Sequence, residues 1–199
     1  MEESFQVLKL SSRELADIYF MVCMDCPEIF YSVKFTYRYY PDSTMVELIP
    51  EYLFTRDKIK EHRLAMKSRV KKLALLAEKL SEKEKELFIH DFIVKNVKYD
   101  KLKKEYSHEI IGALGNGVAV CEGMAKAVKI LCDELGIWCI VALSDANPDK
   151  GIKYRHAWNV IRIDGKYYHL DVTFDNTLSR DDAVRYDYVN LADKQIFRD

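Results

Sequence analysis

Three observations predict an α+β fold: runs of helical periodicity interrupted by one early hairpin, a cysteine at Cys121 that separates a glycine-rich stretch from a helix-period stretch, and two β-rich arms joined by Asp164-Gly165. Helices and strands that segregate along a chain in this way pack as helices against one antiparallel sheet, not as alternating β-α units. The order expected is helix, hairpin, two helices, the Cys121 helix, then strands.

Ser11 to Met24 reads as a short helix, with Leu15, Ile18, Tyr19 and Val22 on one stripe and Pro27 as its stop. The segment FYSVKFTYRYY then alternates, placing Tyr31, Val33, Phe35, Tyr37 and Tyr39 on one face, as a half-buried strand does. Pro41 to Thr44 supplies a turn, and MVELIPEY returns as an edge strand because Pro50 has no N–H to give a neighbour. A row of tyrosines on a sheet can also stack nucleic-acid bases, but alternation with a polar face reads more simply as core.

From Arg56 to Leu80 the apolar positions Ile59, Met66, Val70, Leu73, Ala77 and Leu80 recur at helical spacing, with Lys67, Arg69, Lys71 and Lys72 on a solvated face. Ser81 and Glu84 form a capping-box pair, so a new helix starts there and carries Leu87, Phe88, Phe92 and Ile93 inward to about Val97. His62 and His90 lie on these helices without a catalytic signature around them and read as packed or solvated residues.

The composition narrows the function. The chain has 199 residues, 49% hydrophobic, enough for one core, and no long linker divides it. Its 31 Lys and Arg against 32 Asp and Glu leave no global field to hold nucleic acid or an anionic membrane. No apolar run reaches the ~18 residues of a membrane span, and the acidic start MEESFQVLKL is unlike a signal peptide. A soluble, cytoplasmic chain is expected as the sequence stands, or a secreted or cell-surface one had a leader been removed. The odd count of five cysteines favours reduced thiols, and the lone pair Cys23 and Cys26, half of a zinc or redox motif with no second half, reads as two small side chains one helical turn apart. No metal or cofactor is expected.

Chemistry concentrates in the second half. Gly112, Gly115 and Gly117 mark a turning loop, and past Cys121 the residues Met124, Ala127, Val128, Leu131, Cys132 and Leu135 form a buried stripe that Gly136 ends. Cys121 therefore sits at a helix N-terminus, where unpaired N–H groups and the helix dipole favour the nucleophilic thiolate. The small side chains of Gly123 and Ala125 would leave room for a substrate.

A thiol needs a base. Asp164-Gly165 is a two-residue hairpin signal, and the register it sets pairs Ile163 with Lys166, Ile161 with Tyr168 and Asn159 with Leu170. That register gathers Ile161, Ile163, Tyr168, Leu170 and Val172 on one apolar face, which a one-residue slip would destroy. Extended, it sets His156 opposite Thr173 with Asp171 on the diagonal, close enough for a hydrogen bond. A carboxylate on one ring nitrogen leaves the other free to take a thiol proton. His169 is the rival base, but it shares Asp171's strand and reads as a supporting or surface histidine; His108 reads as a loop residue, and Asp175 is a more distant substitute for Asp171.

The segments GVAVCEGMAKAVKILCDELGI and HAWNVIRIDGKYYHLDVTFD, with HDFIVKNVKYD and YDYVNLAD more loosely, resemble the transglutaminase-like family of papain-like cysteine enzymes over about His90 to Asp193. The resemblance implies a papain-like core of residues 56–199 preceded by an extension of residues 1–55, as in small bacterial members. It also implies Cys121 as nucleophile, His156 as general base and acid, and Asp171 as orienting carboxylate. Trp158 matches the family's H-x-W position beside the histidine, and Asn116 is a candidate second oxyanion donor besides the Cys121 N–H. The calcium sites of larger animal relatives have no counterpart, SRDDA being too short and irregular. The activity implied is acyl transfer on a peptide or side-chain amide through a thioester, hydrolytic in preference to cross-linking, with a non-catalytic protein-binding module as the alternative.

Overall fold

A computed structural model describes residues 4–144, 155–179 and 183–196. The first helix, α1 (Ser12–Asp25), starts at a capping box in which Ser11 accepts from the Glu14 N–H and Glu14 accepts from the Ser11 N–H. Its buried residues are Leu15 and Met24, whereas Ile18 and Val22 of the expected stripe are exposed. This helix packs against a small antiparallel sheet in the order β1 (Phe5–Leu8), β3 (Met45–Tyr52), β2 (Ser32–Tyr39).

β3 is thus the central strand of that sheet and not an edge. The neighbour that makes it central, β1, is largely exposed, so its four residues show no alternation to read. Pro50 is nonetheless accommodated, because β1 pairs only with Met45 to Leu48 and Pro50 lies beyond it, paired on one side with Phe35.

α2 (Arg56–Ala77) and α3 (Glu82–Asn96) follow. α2 buries Ile59, Met66, Val70, Leu73 and Ala77 as its period requires, while Leu80 lies past its end and is exposed. Ser81 caps α3 with Glu84 in the capping box. The buried face of α3 is turned from the expected one: Glu86, Ile89, His90, Ile93 and Val94 are buried, and Leu87 and Phe88 are half-buried.

Two short parallel strands, β4 (Lys98–Tyr99) and β5 (Val118–Ala119), bracket the stretch that leads to the cysteine. Gly112 and Gly115 sit in a single wide helical turn, Ile111–Asn116, and not in an open loop. Only Gly117, at φ 65°, needs the left-handed backbone that glycine adopts freely. Gly112 serves close packing, since a Cβ there would lie 2.5 Å from the Tyr106 carbonyl oxygen.

α4 (Cys121–Glu134) is the centre of the molecule. Met124, Ala127, Val128, Leu131 and Cys132 on it are wholly buried against Ile89 and Ile93 of α3 and against a second antiparallel sheet, β6 (Cys139–Ser144), β7 (His156–Ile163) and β8 (Lys166–Leu170). Burying side chains such as Leu131, Ile161 and Leu170 stabilises the fold by about 1.5 to 3 kcal/mol each. Asn159 adds a polar tie, its amide donating to the carbonyls of Ala125 and Ile140.

The β7–β8 register is the one its turn dictates: Ile163 pairs with Lys166, Ile161 with Tyr168 and Asn159 with Leu170, around Asp164 and Gly165 at φ 49° and 78°. The strand ends at Leu170, however, and α5 (Val172–Leu178) begins at once. His156 therefore pairs with Ser144 of β6 and not with Thr173. A last short helix, α6 (Asp193–Ile196), follows a return in which His169 and Leu191 exchange backbone hydrogen bonds. Among the described residues no helix is long and apolar enough to cross a membrane.

Candidate active site

Cys121 is the first residue of α4, and no side chain caps that helix, so its first-turn N–H groups and the positive end of its dipole face outward beside the sulfur. The start of α4 is held rigidly from behind. The carboxylate of Asp100 accepts from the backbone of Leu102 and Lys104 and from the Ser107 hydroxyl, which fixes the Ser107 carbonyl against Gly123. Val120 donates to that same carbonyl at 3.0 Å. A Cβ on residue 123 would sit 2.2 Å from it, so Gly123 is there for close backbone contact, and the expected room for substrate beside Gly123 and the buried Ala125 is filled.

His156 stands at the start of β7, with its Nε2 2.5 Å from Oδ2 of Asp171 and the Cys121 thiol as the other side chain that favours its protonated form. With Nε2 committed to Asp171, Nδ1 is the nitrogen left for the sulfur. The ring is clamped between Phe174, stacked at 4.6 Å between centroids, and Trp158, stacked at 5.9 Å. Burial disfavours the imidazolium, but the hydrogen bonds to Asp171 and Cys121 outweigh it and push His156 up to about 9.

Asp171 reaches His156 by a route other than the diagonal strand pair. It is the N-cap of α5, where Oδ1 accepts from the N–H of Thr173 and of Phe174 while Oδ2 faces His156. Its side chain is 1% exposed against 21% for His156. The carboxylate is thus fixed by the backbone, and the imidazole is fixed by the carboxylate.

The remaining candidates fall elsewhere. Trp158 stacks on His156 and donates its indole N–H to Nδ1 of His169 at 2.8 Å, and Nε2 of His169 lies 3.1 Å from Asp193. His169 is accordingly a support for Trp158 and not a rival base. Asp175 is bonded to the buried His90 at 3.1 Å and to the backbone of Asp187 and Tyr188, not to His156. Asn116 closes the wide helical turn with its side chain exposed, and none of the side-chain hydrogen bonds of Cys121, His156 or Asp171 among the described residues involves it. His108, read as a partnerless loop residue, bonds Glu122 at 3.1 Å, one residue past Cys121.

Cys23 and Cys26 end α1 as free thiols, Cys23 pushed up to about 11 by burial. The SRDDA segment lies partly outside the described residues.

Sequence reading missed Lys126. It is 1% exposed and bridges Glu109 at 2.7 Å and Glu122 at 2.9 Å, behind the first turn of α4. Burial pushes Glu109 up to about 7, against the opposing pull of the Lys126 ammonium and with the help of the neighbouring Glu122 carboxylate. Glu122 is held below the usual range: His108 and Lys126 overcome its burial. The Glu122-to-Lys126 spacing of four was the one legible sign of this cluster.

A cysteine that opens a helix packed on an antiparallel sheet, a histidine on that sheet and a buried aspartate at the helix start that follows it fit a papain-like α+β core, and comparison with known families agrees. The sequence profile of the transglutaminase-like superfamily matches residues 71–172, so the chain belongs to that superfamily. Among solved structures, a TGase is similar over 98% of this chain and 56% of its own, at 13% identity and a TM-score of 0.49. A protein from Cytophaga hutchinsonii provisionally named a cysteine protease is similar over 71% of this chain and 62% of its own, at 16% identity and a TM-score of 0.40. A provisionally named protease from Parabacteroides distasonis is similar over 70% and 36%, at 15% identity and a TM-score of 0.38. The chain thus spans just over half the length of the first of these. No curated protein matches its sequence.

Proposed function

We propose that the protein is a cysteine hydrolase of peptide or side-chain amides. Cys121 acts as nucleophile, His156 as general base and acid, and Asp171 as orienting carboxylate. The observation that carries this reading is the 2.5 Å contact between His156 and Asp171, on a ring whose protonated form the Cys121 thiol also favours. In the reaction the Cys121 thiolate attacks the amide carbon, and the oxyanion meets the Cys121 N–H at the helix start. The His156 imidazolium gives its proton to the departing amine, leaving a thioester. Neutral His156 then takes a proton from water, whose oxygen attacks the thioester and releases a carboxylic acid and the Cys121 thiolate, which restores the starting thiolate and imidazolium.

Water is favoured as the acceptor over a second amine because Cys121 and His156 are both partly exposed, so solvent reaches the thioester without a dedicated acceptor site. In this reading residues 56–199 are the catalytic core. Residues 1–55 are an extension with its own apolar cluster of Leu15, Val46 and Leu48, anchored to the core by the buried Phe30.

The test is limiting iodoacetamide with peptide mapping, followed by a screen of amide and peptide substrates with the Cys121→Ala protein as blank. Cys121 is expected to label fastest: Cys132 and Cys139 are buried, and burial raises both Cys23 and Cys26. Equal, slow labelling of all five thiols would point instead to a binding module on the same scaffold.

A further inference from the structure

A cavity of about 540 Å³ lies between α1 and β2 on one side and the start of α4 with its preceding loop on the other. It is separate from the triad but adjoins it. Two of its lining residues, Glu122 and Arg155, are the chain neighbours of Cys121 and His156, so the cavity wall is continuous with the backbone that carries both. A pocket of this size takes a whole side chain.

Its two walls differ. α1 and β2 contribute Tyr19, Phe20, Val33 and Phe35, an aromatic and aliphatic surface. The opposite, buried end carries Lys126 and Glu109. Lys126 spends two of its three donors on Glu109 and Glu122, and Glu109 accepts from it through Oε1, which leaves Oε2. A donor and an acceptor therefore lie side by side at the polar end.

The charges around the cavity are already committed. Lys34 pairs with Glu105 at 2.7 Å, Asp17 lies 3.9 Å from Arg13, and His108 bonds Glu122. Arg155 sits over the Phe20 ring at 5.3 Å, and Lys103 has a partner of its own. A charged side chain entering here would lose its water and find each opposite charge held by another group. A neutral one with an apolar ring and a tip that both donates and accepts would exchange its bonds to water for bonds to Glu109 and Lys126.

We propose that this cavity receives the substrate residue next to the reacting amide and that it selects tyrosine. The inference rests on the hydrolase reading above, which makes Cys121 and His156 the reacting groups. The ring would lie against Phe20 and Phe35, and the hydroxyl would give its proton to Glu109 and accept one from Lys126.

The experiment measures equilibrium binding of blocked tetrapeptides, acetyl-Gly-X-Gly-Gly-amide, to the full-length Cys121→Ala protein, with X as tyrosine, phenylalanine, alanine, lysine or glutamate. Tyrosine is expected to bind more than about tenfold tighter than alanine through ring burial. It should exceed phenylalanine by about fivefold through its hydroxyl, with lysine and glutamate weakest. Ala16→Trp, at an exposed cavity-lining position of α1, fills the space and should abolish the preference; Phe20→Ala should weaken it. Equal affinities, affinities all weaker than millimolar, a charged residue binding best, or a preference that survives Ala16→Trp would each overturn the proposal. Binding to the Cys121→Ala protein needs no chemistry, while alkylation of Cys121 in the unsubstituted protein tests the hydrolase reading, so the two can fail separately.

Discussion

Asp171 holds His156 with one carboxylate oxygen and the first turn of α5 with the other, so one side chain both caps a helix and orients a ring. The two duties can be separated by substitution. Asn caps helices about as well as Asp, so Asp171→Asn keeps the bonds to Thr173 and Phe174. Its amide N–H₂, however, would face Nε2 of His156, which must then be the unprotonated nitrogen. The proton moves to Nδ1, and the ring can no longer take one from the thiol. Amide turnover is expected to fall by about 10³ to 10⁴ with the melting temperature nearly unchanged. Asp171→Ala should lose turnover and also about 1 kcal/mol of stability with the cap. An Asn variant as unstable as the Ala variant would make Asp171 a structural residue alone.

That dual role explains where the sequence was legible and where it was not. Asp164-Gly165 fixes the β7–β8 register locally, and Ser81 with Glu84 fixes the start of α3, because both signals are confined to a few residues. The stripe on α4 was readable because its whole period faces one core. Asp171 to Phe174, by contrast, alternates like a strand while forming a helix start, so its β-propensity conceals the cap. β1 was invisible for lack of a buried face. The pairings of Lys126 with Glu109 and of His90 with Asp175 join distant elements, and no local pattern encodes them.

The proton on His156 should appear in the pH dependence of stability. Its value in the fold, about 9, lies above the ordinary histidine value. The native state therefore binds this proton more tightly than the unfolded chain. The stabilisation is complete below an unfolded value of ~6.5 and is lost as pH rises through about 9, amounting to at most about 3 kcal/mol. Denaturant unfolding of the unsubstituted protein and His156→Gln across pH 6 to 10 should show their difference shrinking over that window. Turnover should also fall above about 9, where the imidazolium that protonates the leaving amine is lost. A stability difference independent of pH would contradict this assignment.

Gly123→Ala should act on the cysteine through the backbone. An added methyl would lie 2.2 Å from the Ser107 carbonyl oxygen, which Asp100 and Val120 hold in place. In a helix Ala is worth ~0.5 to 1 kcal/mol more than Gly, but overpacking costs about 1 to 3 kcal/mol, so net destabilisation is expected. Because the start of α4 must shift, alkylation of Cys121 should slow as well. Thermal unfolding and iodoacetamide rates check the two effects, and a stabilised, equally reactive variant would show that this contact yields freely.

Lys126→Met should be the most damaging substitution near the site. It leaves Glu109 and Glu122 buried beside each other without their shared cation, which costs about 3 to 5 kcal/mol for a broken buried pair. The loss should depend on pH in a defined direction. Burial already pushes Glu109 up to about 7, and removing the ammonium pushes it higher, so at pH 5 Glu109 is protonated and the repulsion is absent. Unfolding free energies should therefore show a smaller loss at pH 5 than at pH 8, and the added substitution Glu109→Gln should restore part of the stability at pH 8. Equal losses at both values would mean that Lys126 contributes through the packing of its stem and not through its charge.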